Sequence, residues 1–223
     1  MGNVVKEDVL SKNQSIVSNN VSKRYLITKR YMDLIGAFLG LAILSILFIV
    51  IALFIKLEDP KGKVFFKQKR IGLNGKEFYM FKFRSMSSDA EDRLSELLKH
   101  NEVQGAMFKI KDDPRVTKTG RFIRKTSIDE LPQLYNVLRG DMSLVGPRPP
   151  LPREVMEYTS YDKQRLLVVP GCTGLWQISG RSNIGFHEMV ELDLRYIAKR
   201  SLLNDMLIIF KTVRLLFGSK DAY

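Results

Sequence analysis

A single apolar run dominates the hydrophobic pattern of the chain. Leu34 to Ile55 are 22 consecutive residues without a charged side chain. A helix of this length measures roughly 33 Å, enough to cross the hydrocarbon core of a bilayer. A segment with three charged residues, 56–60, follows the run where a signal peptide would have a small-residue cleavage site. The pattern therefore predicts a membrane helix that stays in the mature protein.

Basic residues flank the apolar run on both sides. Lys23, Arg24, Lys29 and Arg30 precede it, and six Lys or Arg residues lie within 56–70. Since positive flanks stay on the cytoplasmic side, one straight span would leave one of them outside. A helix that enters and leaves through the same face keeps both flanks in the cytoplasm. We therefore expect a re-entrant helix anchored by Lys29 and Arg30, with a simple span as the alternative.

Alternating apolar and basic residues follow the membrane segment. They run over residues 63–71 and 76–84, on either side of Leu73-Asn74-Gly75, and Asn-Gly between two such runs is a hairpin signal. Strand periodicity places Lys82 and Arg84 on one face of the second strand. The pattern predicts a short β-hairpin with a basic face.

Three later segments have helical patterns. The first, Ser87 to His100, begins with a serine cap and an acidic first turn. The second runs from Lys125 or Thr126 to Leu138, and Gly140 ends it. The third, residues 201–217, has apolar residues interrupted by basic ones, which suits a core helix or one lying in the membrane interface.

These patterns predict an α/β membrane protein in three parts. Residues 1–22 form a polar tail that we expect to be flexible, and residues 23–58 form the re-entrant membrane anchor. Residues 59–223 form a small mixed α/β domain in the cytoplasm, with a short β-hairpin and interfacial amphipathic helices. A chain of 223 residues can bury a substantial core beside one membrane segment.

The net charge of the chain limits the classes of binding partner that it suits. The chain has 36 Lys and Arg against 24 Asp and Glu, a formal charge of +12, which suits nucleic acid, an anionic membrane or a polyanionic substrate. Nine cations and three carboxylates fall within residues 56–84, directly after the apolar run. A basic segment beside a membrane helix favours anionic headgroups. We therefore expect anionic membrane lipids, and no nucleic acid, among the partners.

Cysteine and histidine content excludes two kinds of site. Cys172 is the only cysteine, so no internal disulfide forms, and His100 and His187 lack the spacing of a zinc site. The sequence has no Walker loop and no dinucleotide-binding fingerprint. The candidate chemistry therefore rests on carboxylates and cations.

Two adjacent carboxylates, Asp129 and Glu130, lie among basic residues. Ser127-Ile-Asp-Glu130 has the form of a capping box, in which Ser127 caps a helix and Glu130 reaches back to it. The same position suits catalysis, because the helix dipole favours anionic carboxylates at a helix N-terminus. An ionised Asp can act as a nucleophile, and a neighbouring Glu can hold Mg²⁺ together with substrate phosphate oxygens. Spacing alone leaves both interpretations open.

Cations and turn residues around this pair are candidate substrate ligands. Phosphoryl transfer depends mainly on positioning and charge stabilisation and needs such cations, although most charge runs are simply solvated. Gln177 and Arg181 lie in glycine-containing turns, and Gln177 can hydrogen-bond a nucleobase or sugar, while its neighbour Trp176 suits either stacking or the core. The cations are Lys82, Arg84, Arg121, Arg124, Lys125 and Arg148.

Seven motifs occur in order along the chain. They are Lys29-Arg-Tyr-Met-Asp33, Lys82-Phe-Arg-Ser-Met86, Asp113-Pro-Arg115, Thr126-Ser-Ile-Asp-Glu-Leu-Pro-Gln-Leu-Tyr-Asn136, Gly140-Asp-Met-Ser-Leu-Val-Gly-Pro-Arg-Pro149, Pro170-Gly-Cys-Thr-Gly-Leu-Trp-Gln177 and Ser179-Gly-Arg181. Together they resemble the bacterial sugar transferases, which are monotopic polyprenyl-phosphate glycosyl-1-phosphate transferases. The resemblance covers residues 23–223, and this many motifs in one order are highly specific.

The resemblance implies an activity and its residues. Such enzymes move a sugar-1-phosphate from a UDP-sugar to undecaprenyl phosphate and release UMP, which starts a lipid-linked glycan for exopolysaccharide or capsule. By resemblance Asp129 is the nucleophile that carries a covalent phospho-sugar, Glu130 binds Mg²⁺ and Arg124 binds phosphate. Lys82 and Arg148 also match residues that line the site.

The resemblance also implies a location. It places the protein at the bacterial cytoplasmic (inner) membrane with its catalytic domain facing the cytoplasm, where downstream glycosyltransferases are possible partners. One family feature is missing, because the Ser-Pro pair that typically breaks the re-entrant helix is here Ser45-Ile46. Without proline the helix keeps its hydrogen bond, yet Ser45 can still bend it by bonding back to a carbonyl. We therefore expect a bend near Ser45.

Two other functions stay open on the sequence. The charge of +12 also suits a membrane-tethered protein that binds anionic lipid or nucleic acid. The anchor also suits a non-catalytic scaffold of a glycan-assembly complex. Asp129 and Glu130 argue against the first, because carboxylates within a basic patch repel phosphate unless a metal or a reaction requires them.

Overall fold

The structure is a computed structural model of the 223-residue chain. It describes residues 21–90, 92–93, 113–180 and 184–218. Three predictions fall wholly or largely outside these ranges: the polar tail, the helix from Ser87 to His100, and the substrate contact of Arg181.

The apolar run forms two helices that meet at a bend. Helix α1 spans Lys23–Ile43, helix α2 spans Ser45–Glu58, and the pair is bent by 59°. Leu44 lies between them, and the Ser45 hydroxyl donates to the carbonyl oxygen of Ala42 at 2.8 Å. A serine that bonds back along a helix bends it. The predicted bend near Ser45 is therefore confirmed.

Hydropathy and exposure give the bent pair an apolar surface. Within the described ranges no single helix is long and apolar enough to cross a membrane, but α1 and α2 together meet that criterion across their bend. Exposed large apolar side chains occur on both halves; they include Ile35, Phe38, Leu39, Ile43, Ile46, Ile49, Leu53, Phe54 and Leu57. Contiguous exposed apolar surface of this kind is typical of a lipid or protein contact.

The opposite face of α1 packs on the rest of the protein. Ala37 is fully buried, and Gly36 and Gly40 lie against the side chains of Leu144 and Leu134. A Cβ atom at either glycine would come within 3.0 Å of these leucines, so small residues permit the close packing. The sequence Gly36-x-x-x-Gly40 therefore serves contact with the domain.

Lys29 and Arg30 fix the start of α1. Lys29 Nζ donates to Asp205 Oδ2 at 3.0 Å. Arg30 donates to the carbonyl oxygens of Val137 and Leu138 at 2.6 and 2.9 Å, where a helix ends. Cations at a helix C-terminus complement its dipole. Both cations thus bind groups inside the protein and hold the start of α1 to the domain.

The end of α2 is fixed by two carboxylates. Glu58 accepts hydrogen bonds from the N–H groups of Lys118 and Thr119 at 2.7 and 2.9 Å, at the start of α3 (Lys118–Lys125). Asp59 accepts from Arg84 at 2.9 Å. Both ends of the bent pair are thereby tied to the domain that carries the candidate site.

The predicted hairpin is confirmed. Strand β1 (Phe65–Ile71) pairs antiparallel with β2 (Glu77–Phe83). Asn74 and Gly75 turn the chain with φ angles of +54° and +79°, which these two residue types tolerate best. Phe83 is buried at the end of β2 and begins the core under α2.

The second predicted helix is interrupted. After α3, residues Ile128–Glu130 form one 3₁₀ turn, and helix α4 begins again at Gln133 and ends at Arg139. Pro132 cannot donate a helical hydrogen bond and lies directly before α4. The prediction of one continuous helix is therefore wrong, and the acidic pair lies in a turn. Gly140 ends α4 with φ +88°, as predicted.

The C-terminal half builds the main core around a pair of parallel strands. Strand β3 (Ser143–Val145) pairs with β4 (Gly171–Thr173), a sheet that the sequence pattern did not predict. Helix α5 (Pro152–Met156) and a 3₁₀ segment (Asp162–Leu167) lie between them. Helices α6 (Phe186–Lys199) and α7 (Leu202–Gly218) follow. The buried core residues are Val145, Val168, Val190, Leu194, Tyr196, Ile197 and Ile208.

Helix α7 confirms the predicted C-terminal amphipathic helix. Asp205 and Ile208 face inward and are almost fully buried. Large apolar residues elsewhere on the helix are exposed; they are Leu203, Met206, Leu207, Phe210 and Val213. The described architecture is thus a mixed α/β domain with a small hairpin and a bent apolar helix pair.

Candidate active site

Asp129 and Glu130 share one lysine. Lys82 Nζ donates to Glu130 Oε1 at 2.7 Å and lies 3.9 Å from Asp129 Oδ2. The lysine comes from β2 and the carboxylates from the 3₁₀ turn, so strand and turn must be held together for this contact to form. Asp129 is 8% exposed, which keeps it away from bulk water.

Asn136 holds the strand and the turn region in register. It is fully buried in α4, its Oδ1 accepts from the N–H of Phe81 at 2.9 Å, and its Nδ2 donates to the carbonyl oxygen of Tyr79 at 2.7 Å. The side chain thus makes hydrogen bonds to two backbone groups of β2 that lie one residue apart. These bonds fix the strand that carries Lys82. The sequence pattern predicts no role for this asparagine, because a single polar residue within a helical pattern offers little signal.

The capping-box interpretation of Ser127 and Glu130 is wrong. Ser127 makes no side-chain cap hydrogen bond, and its φ of +55° lies in the left-handed region. This conformation costs a non-glycine residue about 1 kcal/mol. The Glu130 carboxylate is bound to Lys82 and does not serve as the box partner. Local strain at Ser127 turns the chain so that Asp129 and Glu130 both reach Lys82.

Burial and nearby cations separate the two carboxyl pKa values. Burial raises the pKa of Asp129 to about 6, although Lys82 opposes this shift. Burial alone would also raise the pKa of Glu130, but Lys82, Arg148 and Arg70 together lower it to about 2. Near neutral pH Glu130 is therefore ionised, and Asp129 gains its charge just below neutrality.

Two of the predicted arginines lie around the acidic pair. Arg124 Nε donates to the Ser85 hydroxyl at 2.8 Å, and the Arg124 charge lowers the pKa of Asp129. The Arg148 charge lowers the pKa of Glu130, and its guanidinium lies 5.9 Å from the centre of the Trp176 ring. The fold therefore brings Lys82, Arg124 and Arg148 to the acidic pair, as the sequence predicted.

The other predicted ligands are placed differently. Arg84 follows the end of β2, and Asp59 engages its guanidinium through a carboxylate oxygen at 2.9 Å and a carbonyl oxygen at 3.0 Å. Lys82 and Arg84 therefore have partners on different elements, Lys82 on the 3₁₀ turn and Arg84 at the end of α2. Gln177 lies in the turn after β4, next to Trp176. Arg181 is outside the described ranges.

Arg70 is a site residue that the sequence pattern does not reveal. It is 4% exposed, donates to the carbonyl oxygen of Pro149 at 2.9 Å and lowers the pKa of Glu130. It therefore adds positive charge near Glu130 and holds the turn that carries Arg148. Such a residue cannot be recognised from a strand pattern, because the cations of an alternating strand ordinarily face solvent.

The carboxylates suit a divalent cation only with help from a substrate. Within the described ranges no group of three or more His, Cys, Asp or Glu residues has the arrangement of a metal site. Mg²⁺ is commonly held by one or two carboxylates, with substrate phosphate and water supplying its other oxygens. Glu130, ionised at neutral pH and adjacent to Asp129, fits that role.

Comparison with known proteins places the chain in a family. A sequence model described as "Bacterial sugar transferase" matches residues 24–219. The galactosyl transferase CpsE of Streptococcus agalactiae serotype III is 52% identical over 199 residues, which cover 89% of this chain and 44% of that protein. The undecaprenyl-phosphate galactose phosphotransferase of Salmonella typhimurium is 42% identical over 212 residues, 93% of this chain and 44% of that protein.

A third relative has the same pattern of coverage. The UDP-galactose-lipid carrier transferase of Erwinia amylovora is 43% identical over 216 residues, 93% of this chain and 44% of that protein. The chain thus spans a little less than half the length of these three relatives. The matched region contains the hairpin lysine, the acidic pair and the arginines described above. The resemblance seen in the motifs is confirmed, and the chain belongs to the bacterial sugar transferase family.

Proposed function

We propose that the protein transfers a sugar-1-phosphate from a UDP-sugar to undecaprenyl phosphate and releases UMP. The names of the Salmonella and Erwinia relatives support this reaction, since they name undecaprenyl phosphate, UDP-galactose and a lipid carrier. The observation that carries the proposal is the buried Asp129 beside Lys82 and Arg124. A buried carboxylate that ionises near neutral pH and lies among cations is suited to attack on a phosphate. A scaffold or a nucleic-acid surface does not require such a group.

In the first half-reaction an oxygen of ionised Asp129 attacks the β-phosphorus of the UDP-sugar. A bond forms between Oδ and phosphorus, and the bond from that phosphorus to the α,β-bridging oxygen breaks. UMP leaves with the bridging oxygen, and the sugar-phosphate stays on Asp129. Lys82, Arg124 and Arg148 stabilise the charge that develops on the phosphate oxygens.

In the second half-reaction a phosphate oxygen of undecaprenyl phosphate attacks the same phosphorus. The bond to Asp129 breaks, the carboxylate is regenerated, and the product is a lipid-linked sugar diphosphate. The lysine that Asp129 shares with Glu130 stabilises the departing carboxylate, because it lies 3.9 Å from Asp129 Oδ2.

Glu130 is the residue of this chain that would hold Mg²⁺ with the diphosphate of the nucleotide. Bound there, the ion would neutralise phosphate charge. The chain's own contribution is a carboxylate that stays ionised because Lys82, Arg148 and Arg70 lower its pKa.

The reaction joins a soluble nucleotide to a membrane lipid, so we place the protein at the bacterial cytoplasmic membrane with α1 and α2 re-entrant. The bend of 59°, the exposed apolar surface and the basic flanks support this topology. Lys23→Cys and Lys61→Cys, each made with Cys172→Ala, should both resist an impermeant thiol reagent in intact cells and react after permeabilisation. Reaction at position 23 alone in intact cells would show a straight span.

Release of UMP tests the function and its pH dependence. Without undecaprenyl phosphate we expect at most one UMP per enzyme, and with it continuous release. The single-turnover rate should rise with pH through about 6, because Asp129 is mainly protonated below that pH and mainly ionised above it. Omitting the lipid matters, since its phosphomonoester also titrates near pH 6. A rate independent of pH between about 5 and 7.5 would contradict an ionised Asp129 nucleophile.

A further inference from the structure

A cavity of about 320 Å³ lies where the start of α1 meets the domain. Tyr25, Leu26 and Lys29 line it from α1, and Tyr196 and Arg200 line it from the end of α6. None of Lys82, Arg124, Asp129, Glu130 and Arg148 belongs to its wall. The cavity is therefore separate from the candidate active site.

Most of the charged groups at this cavity have hydrogen-bond partners within the protein. Lys29 is bound by Asp205, and Arg30 is bound by two carbonyl oxygens. Asp33 accepts a hydrogen bond from the N–H of Leu144 at 3.0 Å. Asp205 accepts from the hydroxyls of Tyr25 and Tyr196 as well as from Lys29. Both local carboxylates are thus satisfied by the protein.

Arg200 differs from these residues. Its Nε is buried without a hydrogen-bond partner, although the residue as a whole is partly exposed. A buried N–H group without an acceptor is unfavourable, and an incoming anion beside this arginine supplies the acceptor and the opposite charge. Three cations and Asp33 line the cavity, and Asp205 binds one of these cations from behind, so the local net charge of +1 still favours an anion.

The rest of the cavity wall is apolar and reaches the surface. Leu26, Leu73 and Leu167 belong to the wall and are 50%, 40% and 50% exposed. Leu26 lies on α1, whose exposed apolar face continues through Ile35 and Phe38. A ligand that fills this shape needs an anionic head beside Arg200 and an apolar chain along the leucines.

We propose that this cavity binds the phosphate headgroup of a membrane lipid, with Arg200 as its cationic ligand. A lipid phosphate has the required charge and carries the required apolar chain. Its position at the first turns of α1, beside the contacts of Lys29 and Arg30, makes it a second site at which lipid holds the helix to the domain. The proposal does not depend on sugar-phosphate transfer.

Native mass spectrometry of the full chain with phosphatidylglycerol tests the site. We expect Arg200→Gln to weaken lipid binding about tenfold, the usual effect of losing one charge-assisted hydrogen bond. Arg200→Lys keeps the charge and should retain more of the affinity. The matched control is Arg195→Gln, an exposed arginine in α6, the helix that ends directly before Arg200, and it should bind as the wild type does.

Three outcomes would overturn the site. They are unchanged binding by Arg200→Gln, an equal loss in Arg195→Gln, and displacement of the lipid by inorganic phosphate at an equal concentration. A thermal unfolding curve for each variant separates lost binding from lost folding. Undecaprenyl phosphate serves as a second competitor: displacement by it identifies the isoprenoid lipid as an occupant, and retention of phosphatidylglycerol identifies a structural phospholipid.

Discussion

Replacing Asp129 with Asn should reduce UMP release to background. An amide of the same shape cannot act as the nucleophile, so neither the covalent phospho-sugar nor continuous turnover should form. The fold should survive, because Asp129 is a buried carboxyl whose pKa is raised, and a neutral side chain suits that position at least as well. The melting temperature of Asp129→Asn should therefore equal or exceed that of the wild type.

Mass spectrometry of the enzyme with UDP-sugar alone gives the direct readout. The wild type should gain the mass of a sugar-phosphate on the peptide that contains Asp129, and Asp129→Asn should gain none. Asp92→Asn, an exposed Asp of the described chain, is the matched control and should keep full activity. An adduct on another residue, or near-normal turnover by Asp129→Asn, would refute the covalent assignment.

Replacing Glu130 with Gln should lower turnover about a hundredfold and raise the Mg²⁺ concentration needed for half-maximal activity. Gln keeps an oxygen that can accept from Lys82 but loses the charge that a divalent cation requires. A capping box accepts Gln as well as Glu, so a capping role would predict an active Glu130→Gln variant. Glu130 makes no capping box, and that explanation therefore does not apply.

Lys82→Met is the matched control for Glu130→Gln, because it breaks the same ion pair and leaves the carboxylate in place. It should lower turnover without raising the Mg²⁺ requirement. Activity measured against Mg²⁺ for both variants separates a metal ligand from a residue that only holds Lys82. Equal Mg²⁺ curves for Glu130→Gln and the wild type would refute the metal assignment.

Features set by short stretches of chain were predictable from the sequence. The bend at Ser45 follows from a hydroxyl and a carbonyl three residues apart, and the hairpin follows from Asn74-Gly75 between two strand patterns. The family and the acidic pair came from ordered motifs, which the comparisons support. The helix break at Pro132 was also local, yet the capping-box pattern around Ser127 concealed it.

Features set by distant contacts needed the tertiary structure. Arg84 and Lys82 are two residues apart, yet Asp59 binds one and Glu130 binds the other. A pattern of charges cannot assign these partners, because each pairing depends on which elements fold against each other. The same is true of Arg30, whose carbonyl acceptors lie more than 100 residues away.

The sequence by itself therefore determined the family, the bent apolar segment, the hairpin and the identity of the acidic pair. Only the tertiary structure decided that Asp129 and Glu130 share Lys82, that Arg70 lowers the pKa of Glu130 and that Lys29 binds Asp205. The physical reason is burial. Removing carboxylates from water and placing them beside particular cations sets their pKa values, and packing between distant segments alone brings those groups together.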